Sequence, residues 1–218
     1  RIDGARNLVE YCNQQCGTYW SDLRPSHGYA APHDIRMWCL GNEMDGPWQV
    51  GHKTAEEYGR LAAETARAMR QFEPDLELVA CGSSGRAIST FGAWEDTVLE
   101  HTYDLVDHIS AHAYYELDGD DRASFLASSV DMDRFIREVV ATADAVGARL
   151  KSSKKIMISF DEWNVWYNKA LTEGGLPTDW TPAPRLSEDE YTLLDAVVVG
   201  SLLITLLRHS DRVAIACQ

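Results

Sequence analysis

The chain has 218 residues, the size of one ordinary domain or of part of a larger one, and 45% of them are hydrophobic. Its formal net charge of −14 at pH 7 would repel a phosphate backbone over most of the surface, which argues against nucleic acid and against an anionic membrane as partners. The most apolar run, Leu193 to Leu207, contains Asp195 and is shorter than the about 20 residues that a membrane helix needs, so it predicts a buried helix.

Helix-period segments alternate with short apolar runs along the chain. Five runs are almost continuously apolar, as expected for parallel strands that are covered on both faces. These predicted strands are Ile35–Leu40, Leu76–Cys81, Val106–His112, Ile156–Phe160 and Val213–Cys217. The predicted helices, two of them introduced by capping boxes at Thr54–Glu57 and Ser187–Glu190, are Asp3–Tyr11, the segment after Thr54, Glu95–Tyr103, a segment that begins at Asp131, and Leu193–Leu207.

This order of elements predicts an α/β fold with a parallel sheet and right-handed crossovers. Five strands are too few to close an eight-stranded barrel, so the pattern leaves two architectures open: a doubly wound open sheet, or part of a (β/α)8 barrel. The longest irregular stretch, Asn168–Arg185, contains Pro177, Pro182 and Pro184. It is either a wall of a cleft or a surface loop without a role.

The number and positions of the five cysteines bear on the redox state of the compartment in which the protein works. The cysteines are Cys12, Cys16, Cys39, Cys81 and Cys217. Their number is odd, and three of them lie in apolar runs. Buried thiols of this kind suit a reducing, cytoplasmic environment. Because the chain starts at Arg1 and not at Met, secretion stays open at this point.

Polar side chains collect where four of the predicted strands end. They are Asn42–Glu43, Ser83–Ser84, His112 with Tyr114, and Asp161–Glu162. Parallel strands share one direction, so these ends meet at one edge of the sheet, the edge where α/β proteins bind ligands. The sequence therefore predicts a site there.

Several kinds of site do not fit the pattern. The sequence has no Gly-x-Gly-x-x-Gly and no Walker loop, and Gly82-Ser83-Ser84 lacks the trailing glycine of a nucleophile elbow. His108 and His112 would lie roughly 13 Å apart on a strand, at about 3.3 Å per residue, too far to share one metal ion. Neither a metal nor an organic cofactor is expected.

Glu43 and Glu162 remain, each at a strand end and each beside tryptophans. Two carboxyl groups in unlike environments are the equipment for cleaving a glycosidic bond, one kept protonated as the acid and the other ionised. Indole rings offer flat apolar faces to the C–H surface of a sugar, and four of the seven tryptophans are near these glutamates: Trp38, Trp48, Trp163 and Trp166. The alternative is that the glutamates are structural members of ion pairs.

On these residues the chain resembles glycoside hydrolase family 51, the α-L-arabinofuranosidases. The matching segments are RIDGARNLVEYCN (1–13), GTYWSDLR (17–24), WCLGNEMDGPWQVGHKTAEEYGRLA (38–62), LVACGSS (78–84) and ISFDEWNVWY (158–167). The resemblance implies that residues 1–218 are a partial catalytic (β/α)8 TIM barrel, about its strands 4 to 8. The first three strands and a C-terminal β-sandwich would then be absent from the chain.

The same resemblance implies roles for individual residues. Glu43 matches the general acid/base, and Glu162 matches the nucleophile. The residues that match the family's substrate contacts are Asn42, which would bind the sugar 2-hydroxyl, Tyr114 and Trp166, with His112 and Trp48 as weaker matches. Gln218 stands where the family pattern has leucine, so it receives no role.

The expected activity is therefore that of a retaining, exo-acting α-L-arabinofuranosidase. Its partners would be arabinose-containing oligosaccharides or polysaccharides such as arabinan and arabinoxylan, and the intact enzyme would be a cytoplasmic homo-oligomer. Three alternatives stay open: another retaining barrel glycosidase such as a β-xylosidase or endoglucanase, a sugar-binding module without catalysis, and an inactive truncated piece.

Overall fold

Five parallel strands form one sheet, and their order in the sheet is their order along the chain. The structure is a computed structural model that describes residues 1–167, 179–180, 182–184 and 188–218. The strands in this part of the chain are β1 (Met37–Cys39), β2 (Glu77–Ala80), β3 (His108–Tyr115), β4 (Met157–Val165) and β5 (Val213–Ala216). All four strand pairs are parallel, so the predicted α/β fold with a parallel sheet is confirmed.

Helices precede β1 and then connect each strand to the next. They are α1 (Ile2–Asn13), α2 (Tyr19–Ser26), α3 (Ala55–Phe72), α4 (Ala93–Thr102), α5 (Arg122–Leu126), α6 (Ser128–Leu150) and α7 (Leu193–Arg208). The capping box predicted for α3 is present, because Thr54 and Glu57 bond to each other's backbone N–H groups. No described helix has the length and apolar character needed to cross a membrane.

The helix starts differ from prediction at several places. Helices α2 and α5 were missed because both are short, and α6 begins three residues before the predicted Asp131. The capping box predicted at Ser187–Glu190 is wrong: Glu190 is not helical, and Ser187 lies outside the described residues. Helix α7 begins at the predicted Leu193, but its capping residue is Thr192, whose hydroxyl donates to the Asp195 carboxylate at 2.7 Å.

The sheet is strongly curved. Two strands separate Cys39 on β1 from Asp161 on β4, so a flat sheet would place them about 14 Å apart at about 4.8 Å per strand. Yet the Cys39 thiol lies 3.6 Å from Asp161 Oδ2. The strand order also has no reversal, whereas a doubly wound sheet has a switch point. Curvature and order together favour the partial-barrel architecture over the open sheet.

Strand β1 departs from the prediction that each strand is covered on both faces. Met37 and Cys39 are exposed and Trp38 is only half-buried. In the described part of the chain β1 pairs with β2 alone, so its other edge meets solvent. The predicted loop Asn168–Arg185 cannot be compared in the same way, since residues 168–178, 181 and 185 lie outside the described residues.

Helices α3 and α4 hold the end of β2. Tyr58 and Trp94 are buried and stacked, with ring centroids 5.5 Å apart. The Cys81 N–H donates to the Tyr58 hydroxyl oxygen at 2.7 Å, and the Trp94 indole N–H donates to the Cys81 carbonyl at 2.9 Å. At Gly82 a Cβ atom would lie 2.0 Å from the Ser110 carbonyl oxygen, so only glycine lets β2 approach β3 this closely.

The Tyr58 hydroxyl should therefore matter for stability. In Tyr58→Phe the ring stacking is retained, but the buried Cys81 N–H loses its acceptor, which costs about 1–3 kcal/mol of unfolding free energy. Urea unfolding measures the loss, and Tyr19→Phe, at a 73% exposed side chain, is the matched control. Equal stability of the two variants would contradict the assigned hydrogen bond.

Candidate active site

Glu43 follows β1 in an unusual backbone conformation. Its φ is 46°, in the left-handed region that residues other than glycine rarely adopt, and its carbonyl accepts a hydrogen bond from the Gly46 N–H at 2.9 Å. The turn also fixes Trp48, because a Cβ atom at Gly46 would lie 2.5 Å from the Trp48 ring. The stiff segment after β1 therefore aims Glu43 and Trp48 at each other.

The Glu43 carboxylate accepts two hydrogen bonds. The Trp48 indole N–H donates to Oε2 at 2.7 Å, and the His112 Nδ1 lies 3.1 Å from Oε1. His112 is nearly fully buried on β3, whereas Trp48 is 61% exposed. The carboxylate is thus held by one buried ring and one surface ring.

Glu162 on β4 faces the same imidazole. Its Oε2 accepts a hydrogen bond from the Tyr114 hydroxyl at 3.0 Å and lies 3.6 Å from His112 Nδ1. One carboxylate oxygen of Glu43 and one of Glu162 lie within 4.8 Å of each other. The two glutamates that the sequence singled out are therefore brought together across one ring.

A β-bulge places Glu162 there. Ser110 pairs with Ser159, but His112 pairs with Glu162, so β4 advances one residue more than β3 between the two pairs. Successive side chains of a regular strand point to opposite faces, and an extra residue breaks that alternation. As a result Asp161 and Glu162 both reach His112, with Asp161 Oδ1 3.1 Å from Nε2.

The charges of this group follow from its contacts. Burial by itself would lower the pKa of His112, but hydrogen bonds with Asp161 and Glu43 and the charge of Glu162 outweigh it and raise that pKa to about 9. Burial likewise would raise the pKa of Glu43, but the hydrogen bonds from His112 and Trp48 prevail and lower it. At neutral pH the ring is therefore an imidazolium that donates from both nitrogens, and Glu43 is ionised.

Tyr114 and Trp166 form the apolar side of the site. Their rings are tilted with centroids 5.0 Å apart, and burial together with the hydrogen bond to Glu162 raises the pKa of Tyr114, so its hydroxyl stays a donor. Both rings line a cavity of about 240 Å³ with Asn164, Val165 and Tyr191. This is smaller than the about 300–1,000 Å³ of pockets for drug-sized ligands, and it suits a ligand of one sugar ring.

The remaining polar residues predicted at strand ends have different positions. Asn42 is exposed and makes no hydrogen bond to another described residue. Ser84 donates its backbone N–H to the buried Asp45 at 3.0 Å, and Ser83 donates its own to Glu95 at 2.8 Å. The end of β2 therefore anchors the turn that carries Glu43, and the Met44 N–H also donates to the Cys81 sulfur at 3.3 Å.

Two acidic residues were not assigned a role from the sequence. Asp161 was noticed only as part of the Asp161–Glu162 pair, because alternation on a strand would turn it away from Glu162. Asp45 carried no signal beyond its place in an Asp-Gly-Pro turn. A doubled acid at a strand end is a usable sign of a bulge, but the sequence does not show which residue is the extra one.

Glu43, His112 and Glu162 are also spaced to hold a metal ion, since one ligand atom of each lies within 4.8 Å of the others. A metal ligand must be a neutral imidazole, however, and since the pKa of His112 is raised to about 9, a metal ion would have to displace the proton of this ring. The positive ring takes the place that a cation would occupy between the two carboxylates. The arrangement fits an ion pair network better than a metal centre.

Comparison with protein-family models gives two matches. Residues 1–123 match the α-L-arabinofuranosidase 1 domain, and residues 161–218 match the α-L-arabinofuranosidase C-terminal domain. The described part of 161–218 consists of most of β4 with α7 and β5, which belong to the same sheet as the rest of the chain.

Curated relatives are similar over nearly the whole chain. An intracellular exo-α-(1→5)-L-arabinofuranosidase of Streptomyces lividans is 67% identical over 98% of this chain and 32% of its own length. One from Bacillus subtilis is 57% identical over 99% of this chain and 43% of its own. An exo-α-(1→6)-L-arabinofuranosidase of Bifidobacterium longum is 54% identical over 97% of this chain and 42% of its own length. The chain thus spans less than half the length of these relatives.

Solved structures agree with these matches. A family 51 α-L-arabinofuranosidase from Bifidobacterium longum superposes with a TM-score of 0.91 at 48% identity, over 99% of this chain and 44% of that one. An arabinose complex of the α-L-arabinofuranosidase from Thermotoga maritima superposes with a TM-score of 0.80 at 31% identity. The match covers 100% of this chain and 40% of that one.

The ring of His112 should control the ionisation of Glu43. In His112→Gln a neutral donor replaces the imidazolium while burial remains, so the pKa of Glu43 should rise, by about one unit or more. A pH titration of the carboxyl carbons by ¹³C NMR measures it. His108→Gln, on the same strand but near Glu77, is the control and should leave Glu43 unchanged. An unaltered Glu43 titration in His112→Gln would show that the hydrogen bond is not formed.

Proposed function

Because the chain belongs to the family 51 α-L-arabinofuranosidases, we propose that the protein carrying it is a retaining, exo-acting α-L-arabinofuranosidase. It removes terminal arabinofuranosyl groups from arabinan and arabinoxylan oligosaccharides by double displacement. Its substrate partners are therefore arabinose-containing saccharides. The residues of the site supply the whole chemistry, without a cofactor.

One observation carries this proposal: the distance within 4.8 Å between carboxylate oxygens of Glu43 and Glu162. Retaining glycosidases place their carboxyl groups about 5–5.5 Å apart, whereas inverting enzymes need about 6.5–9.5 Å to admit a water between acid and base. Two oxygens this close agree with the retaining separation. It supports direct attack by one of the two carboxylates.

Glu162 is assigned as the nucleophile. Its hydrogen bond from Tyr114 and its contact with His112 both fall on Oε2, which directs Oε1 to the anomeric carbon. The two donors also hold the carboxylate in one orientation before attack. As Oε1 bonds to the anomeric carbon, the bond to the leaving oxygen breaks and an arabinosyl-enzyme forms.

Glu43 is assigned as the acid/base. At neutral pH it shares one proton with His112, and the proton lies on Nδ1 at 3.1 Å from Oε1. Transfer along this hydrogen bond makes Glu43 the acid, which gives the proton to the leaving oxygen in the first displacement. Glu43, now a carboxylate, then takes a proton from water, whose oxygen attacks the anomeric carbon and releases arabinose and free Glu162.

The other predicted residues are assigned to binding. Trp166 and Tyr114 present ring faces and edges at the cavity beside Glu162, where the C–H surface of the sugar packs. Asn42 stands next to Glu43 at the exposed edge, within reach of the sugar 2-hydroxyl. Trp48 covers Glu43 and contacts the leaving group.

The substrate linkage and compartment are proposed from the relatives. The relatives from Streptomyces lividans and Bacillus subtilis are named intracellular exo-α-(1→5)-L-arabinofuranosidases. We infer the same linkage preference and cytoplasmic location for this protein, with short oligosaccharides as substrates. The (1→6)-specific relative is less similar.

The architecture is proposed as part of a (β/α)8 barrel. Strands β1 to β5 would be its fourth to eighth strands, which places Glu43 after the fourth and Glu162 on the seventh. The first three strands and a C-terminal β-sandwich would belong to the whole protein, outside these 218 residues. The curvature of the sheet and the coverage of less than half of each relative support this assignment.

Two variants of the whole protein test the roles of the glutamates. Glu162→Ala should abolish hydrolysis of both an aryl arabinofuranoside and a natural arabino-oligosaccharide, because no covalent intermediate can form. Glu43→Ala should lower turnover of the oligosaccharide by about 10²- to 10⁴-fold. It should spare formation of the intermediate from the aryl substrate, whose leaving group needs little protonation, so a burst of phenol precedes slow turnover.

Stopped-flow release of the phenol measures both rates, and Glu116→Gln, at an exposed residue after β3, is the control. Loss of the burst in Glu43→Ala would contradict the assigned roles. Faster hydrolysis of an aryl xyloside than of the arabinofuranoside by the unaltered protein would contradict the assigned sugar.

A further inference from the structure

Asp161 is the residue of the site that the proposed mechanism leaves without a role. Its Oδ1 lies 3.1 Å from His112 Nε2, on the side of the ring opposite to Glu43. Its Oδ2 accepts hydrogen bonds from the Ser159 hydroxyl at 3.1 Å and from the Cys39 thiol at 3.6 Å. The side chain is only 18% exposed. Both of its oxygens are therefore engaged, and its orientation is fixed from three strands.

The partners of Asp161 are themselves arranged to keep its charge on His112. Ser159 is buried on the same strand, and the pKa of the Cys39 thiol is raised to about 11 by burial and by the charge of Asp161. The thiol is thus a neutral donor over the working pH range. Because Ser159 and Cys39 are neutral donors, the imidazole is the charged hydrogen-bond partner of Asp161.

The carboxylates that face the His112 ring come from two elements of the described part of the chain. Glu43 approaches from the segment after β1, and Asp161 and Glu162 approach from β4. The neutral groups beside these carboxylates are Cys39 on β1, Cys81 after β2, with its pKa raised to about 12, and Tyr114 on β3. One cationic ring is therefore surrounded by three carboxylates, and only Asp161 has no part in bond making.

We propose that Asp161 is a positioning residue of the reaction, which acts by holding the His112 imidazole with Nε2 toward itself and Nδ1 toward Glu43. This inference rests on the proposed glycosidase mechanism. Without the Asp161 carboxylate the ring loses the partner that fixes its rotation about the Cβ–Cγ bond. It also loses one of the charges that keep a proton on it, and that proton is the one that Glu43 gives to the leaving oxygen.

The β-bulge is what makes this role available. Because β4 carries one extra residue between Ser159 and Glu162, the acid next to the nucleophile turns toward the site. Asp161 and Glu162 then contact the two different nitrogens of one ring. The nucleophile and the group that orients the proton source are thus consecutive residues of one strand.

Removing the charge of Asp161 should lower the pH at which the site loses its proton. The activity of the unaltered protein should fall at high pH when the proton shared by Glu43 and His112 dissociates. In Asp161→Asn the opposite charge on Nε2 is gone, so this loss should occur about one unit or more lower. Asp161→Glu restores the carboxylate. In this variant the pH at which activity is lost should return toward that of the unaltered protein.

The test measures two independent quantities in the whole protein. The first is the pH titration of the His112 ring by ¹H–¹⁵N NMR, which needs no substrate. The second is the pH profile of kcat/KM for an aryl arabinofuranoside. Asp118→Asn makes the same chemical change on the exposed loop after β3 and should leave both curves unchanged.

The outcomes separate this inference from the proposed function. If the unaltered protein does not hydrolyse the arabinofuranoside, the proposed function fails, and the His112 titration still decides whether Asp161 sets the state of the ring. If Asp161→Asn titrates His112 and loses activity at the same pH as the unaltered protein, the inference is overturned. A fall in kcat/KM that is equal at every pH, with an unchanged His112 titration, also overturns it because it shows only a structural role.

Discussion

The arrangement of the site depends on one buried imidazolium between carboxylates. A charged ring that is nearly fully buried is stable only if its desolvation is offset by charged partners and by hydrogen bonds to both nitrogens. His112 has both, and its partners come from the segment after β1 and from β4, three strands further along the sheet. The ring therefore joins elements that lie far apart in the sequence, and it contacts both Glu43 and Glu162, the glutamates to which we assign the chemistry.

His112 can contact both the segment after β1 and β4 only because the sheet is curved. In a flat parallel sheet the end of β1 and the strand β4 would be too far apart for one ring to bridge them. Helices on the convex side supply the packing that supports the curve, and Gly82 allows the close approach of β2 and β3 at its middle. The contact of Cys39 with Asp161 across the concave face shows how near the strands come. Fold and chemistry are thus linked through strand geometry.

The lowered pKa of Glu43 and the raised pKa of His112 have a mechanistic consequence. A general acid must carry a proton when the first bond breaks, and a general base must lack one when the second step begins. A carboxylate beside an imidazolium satisfies both needs, since the proton is held one hydrogen bond away. In the proposed mechanism the site loses one proton to the leaving group as Glu162 loses its negative charge in the arabinosyl-enzyme, so the total charge of the site stays constant. This avoids a separate buried charge at either step.

The amino-acid sequence alone determined the alternation of helices and strands, the parallel sheet and the edge at which polar groups gather. Those features follow from apolar periodicity, capping residues and strand direction, which act over short stretches of chain. Glu43 and Glu162 could be chosen because both are strand-end acids beside tryptophans. The exposure of β1, the two short helices and the capping residue Thr192 of α7 were missed, because pairing at sheet edges and the choice between neighbouring caps depend on tertiary contacts.

Only the tertiary structure decided which face each acid of the Asp161–Glu162 pair presents and which nitrogen of His112 each one contacts. A bulge shifts the register of β4 by one residue, and a one-residue shift reverses the face of every side chain after it. The doubled acid in the sequence does not show which residue is the extra one, because the shift arises from pairing between β3 and β4. The chain thus fixes which groups can do the chemistry, and the three-dimensional register fixes how they share a proton.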